Sequence, residues 1–222
     1  MKQLLTIGYC LLTIFMFAAC SPTKAEIEEK AAQDAIAKGP APDTAFYNRG
    51  FAKCNTEDYK DAIVNFTKTI EINPKYEWAY NLRGRCKVKI GDNEGAIEDF
   101  NKVIKLNDKF PSAYFDRGTC KKNLKEYKEA IEDFNKAIGL NPNFEAAYYN
   151  RGISKHKMED YKGAIADFTK VIELNTNHSE AYYDRGFSKQ FLGDAKGACL
   201  DFKKAAELGS INGRDAAHQF CN

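Results

Sequence analysis

Residues 111–144 read PSAYFDRGTCKKNLKEYKEAIEDFNKAIGLNPNF, and the same 34-residue pattern recurs on either side of them without a gap. The blocks are 43–76, 77–110, 111–144, 145–178 and 179–212. Numbering places within a block from one, Arg-Gly holds places 7 and 8 throughout: Arg49-Gly50, Arg83-Gly84, Arg117-Gly118, Arg151-Gly152 and Arg185-Gly186. Lys holds place 11, Ala place 20 and Phe place 24 in every block, as Lys121, Ala130 and Phe134 do here. A period of this length specifies stacked, near-identical supersecondary units, each covering its neighbour's apolar face.

Each unit reads as two helices. The first spans about places 2 to 14. The second starts near place 16, where Asp58, Asp92, Asp160 and Asp194 can cap an orphan amide and Glu126 stands in the third block. Apolar residues then recur at helical spacing, as in Ala130, Ile131, Phe134, Ala137 and Ile138. Asn73, Asn107, Asn141, Asn175 and Gly209 are expected to close the second helix in a left-handed conformation. Pro74 and Pro142 forbid continuation. On the first helix, 100° per residue puts places 4, 7, 8 and 11 on a stripe facing the second helix. Places 3 and 10, always small, face the preceding block. Places 2, 5, 9, 12 and 13 are left over.

The recurring pattern aromatic-x-x-Arg-Gly, Lys, Tyr-x-x-Ala-Ile, Phe, Asn-Pro closely resembles the tetratricopeptide repeat, with Arg and Lys replacing the commoner Leu and Tyr at places 7 and 11. The resemblance covers residues 43–212 and implies an all-α fold: a right-handed superhelical solenoid of five helix-turn-helix repeats, with the first helices lining a concave groove. Residues 213–222, with Ala216, Ala217 and Phe220 at helical spacing, are expected to cap the last repeat.

The amino terminus carries a targeting pattern. Met1-Lys2 precedes an uncharged apolar stretch from Leu4 to Ala19, too short for a comfortable membrane span. Its end, Phe17-Ala18-Ala19-Cys20, resembles the bacterial lipobox, although Leu is usual where Phe17 stands. That resemblance implies a lipoprotein signal peptide at 1–19 and an acylated, palmitate-bearing Cys20. A secreted soluble protein and a retained anchor are the other readings. Ser21 resembles outer-membrane sorting, so the expected location is the cell envelope, on the outer membrane facing the periplasm. Residues 20–42 then form the lipidated terminus and a spacer, whose 25–38 segment is either a tether or an additional helix on the first repeat.

Composition and motifs narrow the function. Thirty-three basic residues stand against 31 acidic ones, a net charge of +2, which gives no electrostatic case for nucleic acid. Arg and Lys at places 7 and 11 are answered by Asp99, Asp133, Asp167 and Asp201 at place 23, with Asn65 in the first block. This matching points to an ion-pair ladder between helices; an anion-binding stripe is the alternative. His156, His178 and His218 lack metal-ligand spacing, and neither a phosphate-binding glycine loop nor a nucleophile elbow occurs. The expectation is a non-catalytic protein without metal or cofactor.

Of the remaining cysteines, Cys86 and Cys120 occupy the small place 10, about 10 Å apart by helix packing and too far for a bridge. Cys54 stands alone. Cys199 and Cys221 are either a disulfide pinning the cap or two buried thiols.

The leftover stripe is rich in aromatics and carries four cations against one anion, Glu180. The candidate partner-binding residues are Tyr47, Phe51, Trp78, Arg85, Lys89, Phe115, Lys122, Tyr149, Lys157, Tyr183, Phe187 and Phe191. Phe115 and Tyr149, in the middle repeats, are the expected central anchors. The family resemblance implies that these places contact a peptide or helical segment of a partner protein. The Lys, Asn and Arg clamp of chaperone-tail-binding relatives is not reproduced, because place 5 reads Tyr47, Asn81, Phe115, Tyr149, Tyr183. The reading is a monomeric adaptor or scaffold in the envelope; a self-associating structural envelope protein is the alternative.

Overall fold

The computed structural model describes residues 41–221. The chain divides into two units, Met1–Ala41 and Pro42–Asn222, and the architecture below is that of the second. The signal segment 1–19, the lipid site Cys20 and the 25–38 segment, read as a tether or an additional helix, lie outside the described residues.

Eleven helices and no strands occur among the described residues. In chain order they are α1 Pro42–Asn55, α2 Tyr59–Ile72, α3 Glu77–Lys89, α4 Asn93–Leu106, α5 Pro111–Asn123, α6 Tyr127–Leu140, α7 Glu145–Lys157, α8 Tyr161–Leu174, α9 Ser179–Phe191, α10 Ala195–Glu207 and α11 Ile211–Phe220. Each packs on the next, and the first helix of each block also touches the first helix of its neighbours. This is the all-α solenoid expected of the repeat.

The second helices bury places 20, 23, 24 and 27, an i, i+3, i+4, i+7 face, as in Ala130, Asp133, Phe134 and Ala137 of α6. Five phenylalanines, Phe66, Phe100, Phe134, Phe168 and Phe202, are fully buried. Each such ring contributes about 2–3 kcal/mol relative to exposure. They need glycine opposite. A Cβ at Gly152 would stand 2.8 Å from the Phe168 ring, and one at Gly186 would stand 2.6 Å from Phe202. Ala79, Ala113, Ala147 and Ala181 at place 3, and Cys86, Cys120, Ser154 and Ser188 at place 10, are buried. Ala52, with no preceding block among the described residues, is exposed.

The ladder forms as a three-way tie. Arg117 donates from Nε to Asp133 at 2.9 Å, while Lys121 Nζ reaches the same carboxylate at 2.8 Å. The remaining Arg117 donor, Nη1, crosses to Asn101 of the preceding block at 2.6 Å. The same arrangement joins Arg83 to Asp99 and Thr67, Arg151 to Asp167 and Asn135, and Arg185 to Asp201 and Thr169. Each guanidinium also lies over the place-4 tyrosine. These cations are consumed by the framework, so places 7 and 11 offer no anion-binding stripe. In the first block Asn65 has no charge, Arg49 is exposed, and Lys53 turns to Asp58 and Asp61.

Helix closure differs from expectation. Asn73, Asn107, Asn141 and Asn175 are extended, with φ between −131° and −148°. Their side-chain oxygens accept from the amide two residues on, for example Lys75 N to Asn73 at 3.2 Å and Asn143 N to Asn141 at 3.2 Å. Where place 1 is acidic the amide reaches back to it, Asn73 Nδ2 donating to Asp43 at 3.1 Å and Asn175 Nδ2 to Glu145 at 3.3 Å; Asn141 has Pro111 there instead. Asparagine here shapes the turn with its side chain. Gly209 alone at this place is left-handed, at φ 91°. The other left-handed residues sit at place 15, between the two helices of a block: Glu57, Gly91, Lys125, Glu159 and Gly193. There the chain closes the first helix with paired carbonyl bonds, such as Asp58 N to Lys53 O at 2.9 Å and Glu57 N to Cys54 O at 3.1 Å.

α11 starts at Ile211, two residues before the anticipated cap, behind Ser210, whose hydroxyl accepts from Gly213 N at 3.1 Å. Ala216 packs on Ala198 and Phe202, and Phe220 lies 5.8 Å from the Phe202 ring. A disulfide joins Cys199 of α10 to Cys221 with Cα atoms 5.3 Å apart, so of the two sequence alternatives the structure carries the bridge.

Candidate functional site

The face formed by places 2, 5, 6, 9, 12 and 13 of α1, α3, α5, α7 and α9 is the candidate site. Its side chains fall into two groups. Place-5 rings lean into the structure. Tyr47 lies 5.8 Å from Phe66 and 5.0 Å from Tyr76; Phe115 lies 5.9 Å from Phe134 and 4.8 Å from Phe144. Tyr149 repeats this with Phe168 and His178, at 5.8 and 4.8 Å, and its hydroxyl donates to Asp184 at 2.7 Å. Phe115 and Tyr149, expected as the central anchors, are therefore half-buried framework rings. Each ring is wedged between the place-24 phenylalanine and the place-34 side chain, with only part of its surface left to the groove. Tyr183 and Phe187 are similarly held against Phe202, and Phe187 also meets Phe220.

Lys122, expected as a groove cation, donates to Asn150 at 2.6 Å across the repeat boundary, and burial lowers its pKa. Ser188 gives its proton to the Asp184 carbonyl at 2.9 Å, so His156 Nδ1, 2.9 Å from the Ser188 oxygen, is the donor in that pair. Burial, with help from Lys157, lowers the His156 pKa and favours the neutral ring.

The second group stays open. Phe51 and Trp78 are each 48% exposed and Phe191 is 60% exposed. Arg85, Lys89 and Lys157 are exposed beside them. Phe191 stacks flat on Tyr161 at 4.9 Å with His156 at its edge, which presents one broad apolar surface. Next to it a cavity of about 240 Å³ is lined by Ile153, His156, Lys157, Phe168, Tyr183, Asp184 and Phe187.

Place 6 was missed in the sequence reading. Asp116 and Asp184 stand there, where other blocks carry Asn48, Leu82 and Asn150. Burial pushes the Asp116 carboxyl up to about 6, with Arg85 pulling the other way. Burial also raises Asp184, opposed by the Tyr149 hydrogen bond. Irregularity at one otherwise neutral place was the available signal. Cys54 was also misjudged. It is not alone, for its sulfur meets that of Cys86.

Among the described residues, no group of three or more His, Cys, Asp or Glu is placed to hold a metal, and no helix is long and apolar enough to cross a membrane.

Family models described as tetratricopeptide repeat match residues 79–110, 111–144 and 145–178. No curated protein matches the chain. Among solved structures, that of MamA protein is 25% identical, covering 81% of this chain and 95% of its own, with a TM-score of 0.72. MamA residues 41-end from Desulfovibrio magneticus RS-1 are 21% identical over 76% of this chain and 96% of that one, at a TM-score of 0.73. YrrB, described as a TPR protein with an unusual peptide-binding site, is 20% identical over 87% and 99%, at 0.70.

Proposed function

Because the chain belongs to the tetratricopeptide-repeat family, we propose that it is a non-catalytic interaction scaffold that holds a segment of a partner protein against its first helices. The observation that carries this reading is the exposure of three large rings, Phe51, Trp78 and Phe191, on one face of the first helices. Large exposed rings next to Arg and Lys are what protein interfaces enrich. Exposed Arg85, Lys89 and Lys157 favour a segment of apolar, neutral-to-acidic character. The cavity beside Phe187 is the size of one or two side chains and is lined by Lys157 and Asp184 among its apolar walls.

We further propose that the scaffold works as a monomer at the cell envelope, anchored through lipid on Cys20 to the outer membrane and facing the periplasm. The apolar stretch to Ala19 and the Phe17-Ala18-Ala19-Cys20 junction support this. Two acyl chains anchor firmly because each buried methylene adds about 0.8 kcal/mol.

Affinity capture from solubilised envelopes tests the groove. The partner should be retained by wild type and lost with Phe191→Ala or Trp78→Ala, the far-UV spectrum being unchanged. Normal capture by both variants, with loss on substituting exposed second-helix residues, refutes the groove. Cys20→Ala should leave the membrane fraction or accumulate as precursor; an unmodified mature terminus elsewhere in the chain refutes the anchor.

A further inference from the structure

Cys54 Sγ lies 2.6 Å from Cys86 Sγ. The two residues are 32 apart, place 12 of the first block and place 10 of the second. Repeat geometry makes this pairing recur. The same register sets His156 against Ser188 at 2.9 Å, and packs Val88 with the cluster that contains Cys120. Place 12 of one first helix therefore meets place 10 of the next at three of the four junctions, Lys122 reaching Asn150 at the other, and only between the first two blocks are both residues cysteine. Cys86 is 2% exposed and Cys54 is half-buried, so Cys54 is the thiol an oxidant reaches. Cys120 has Val88 opposite and no thiol in that position.

We infer that Cys54 and Cys86 are a cross-linking site, forming a disulfide that staples the first repeat to the second. The oxidant is a disulfide, small or protein-borne. Cys54 as thiolate attacks one oxidant sulfur, making a mixed disulfide and releasing the first oxidant thiol. Cys86 then attacks the Cys54 sulfur, and its proton leaves with the second oxidant thiol. Two protein thiols lose two electrons and two protons, and the oxidant disulfide becomes two thiols. Burial, with Cys54 adjacent, raises the Cys86 pKa, which slows the second step and leaves its product unchanged.

The placement has a physical rationale. Each internal repeat is held by two neighbours, an end repeat by one, so frayed ends limit a solenoid. At the carboxyl end the Cys199–Cys221 disulfide already fastens α11 to α10. Cys54 and Cys86 would do the same for α1 and α3. In the cell the bond depends on export to an oxidising compartment, as the envelope reading holds; the chemistry in solution does not.

The purified full chain, reduced and then equilibrated with oxidised glutathione, is alkylated and digested with trypsin. The expected product joins the peptide 54–60 to the peptide 86–87, while Cys120 is alkylated. Amide exchange in α1 and α2 should slow by up to about 500-fold on oxidation, as expected for closing a loop of this length. Cys54→Ser, at a half-buried position, should abolish both the cross-linked peptide and the redox difference in exchange. Alkylation of both Cys54 and Cys86 at equilibrium, a persistent glutathione adduct on Cys54, or a bridge to Cys120 overturns the inference. Loss of partner capture with an intact bridge would instead count against the groove.

Discussion

Replacing Asp133 by Asn removes one charge from the middle of the ladder and keeps its shape. Asp133 is 3% exposed and is contacted by Arg117 and Lys121, whose side chains are each 19% exposed. The variant amide can accept one bond but presents its own donors to a guanidinium and an ammonium. Breaking a buried pair by removing one partner costs about 3–5 kcal/mol. Arg117 keeps its bond to Asn101 and its place over Tyr114, and both cations retain some water, so the lower end applies: about 3 kcal/mol. The first block supplies the control. It carries Asn65 natively because Arg49 is exposed and Lys53 has turned to Asp58 and Asp61. Asn65 is neutral and makes one side-chain bond, donating from Nδ2 to the Asp61 carbonyl at 2.8 Å, so Asn65→Ala should cost only about 1 kcal/mol. Urea unfolding followed by far-UV circular dichroism measures both. A D133N protein within about 0.5 kcal/mol of wild type, or an equal effect of N65A, would show that the ladder is ornamental and that apolar packing alone holds the repeats.

Three further outcomes follow from the geometry. Gly152→Ala puts a methyl 2.8 Å from a fully buried Phe168 ring, and thermal melts should show a loss of about 2–3 kcal/mol; a neutral result would mean the ring can retreat. Lys125→Gly relieves a non-glycine residue at φ 66°, where two other blocks already use Gly91 and Gly193, and should gain about 1 kcal/mol in the same melts. The Asp116 carboxyl, raised to about 6 from 3.8, keeps its proton in the native state where the unfolded chain has lost it. Stability should fall as pH rises from about 4 to about 6, by at most about 3 kcal/mol, and Asp116→Asn should flatten that part of the profile.

The sequence by itself determined the repeat and its framework. A 34-residue period needs no tertiary information, and Arg, Gly, Lys, Ala and Phe at fixed places name their own roles. Glycine sits where a ring must approach, and Asp answers Arg and Lys across a helix pair. Period and pairing are carried within one block, so five copies state the period and four of them state the pairing. The leftover stripe was also legible, since it is what remains once two faces of the first helix are assigned.

Tertiary structure decided what happens between blocks. How far each stripe aromatic is covered depends on the rings that surround it in the fold, which left Phe51, Trp78 (edge-on to Phe110 at 4.9 Å) and Phe191 exposed and Tyr47, Phe115 and Tyr149 half-buried. The meeting of place 12 with place 10 of the next block depends on the superhelical offset between first helices, a quantity no single period contains. That offset put Lys122 on Asn150 and set Cys54 against Cys86. Asparagine at place 31 was read by its backbone tolerance, whereas its side chain does the work, because a carboxylate 30 residues earlier and an amide two residues later converge on it only once the two helices of its block have packed together.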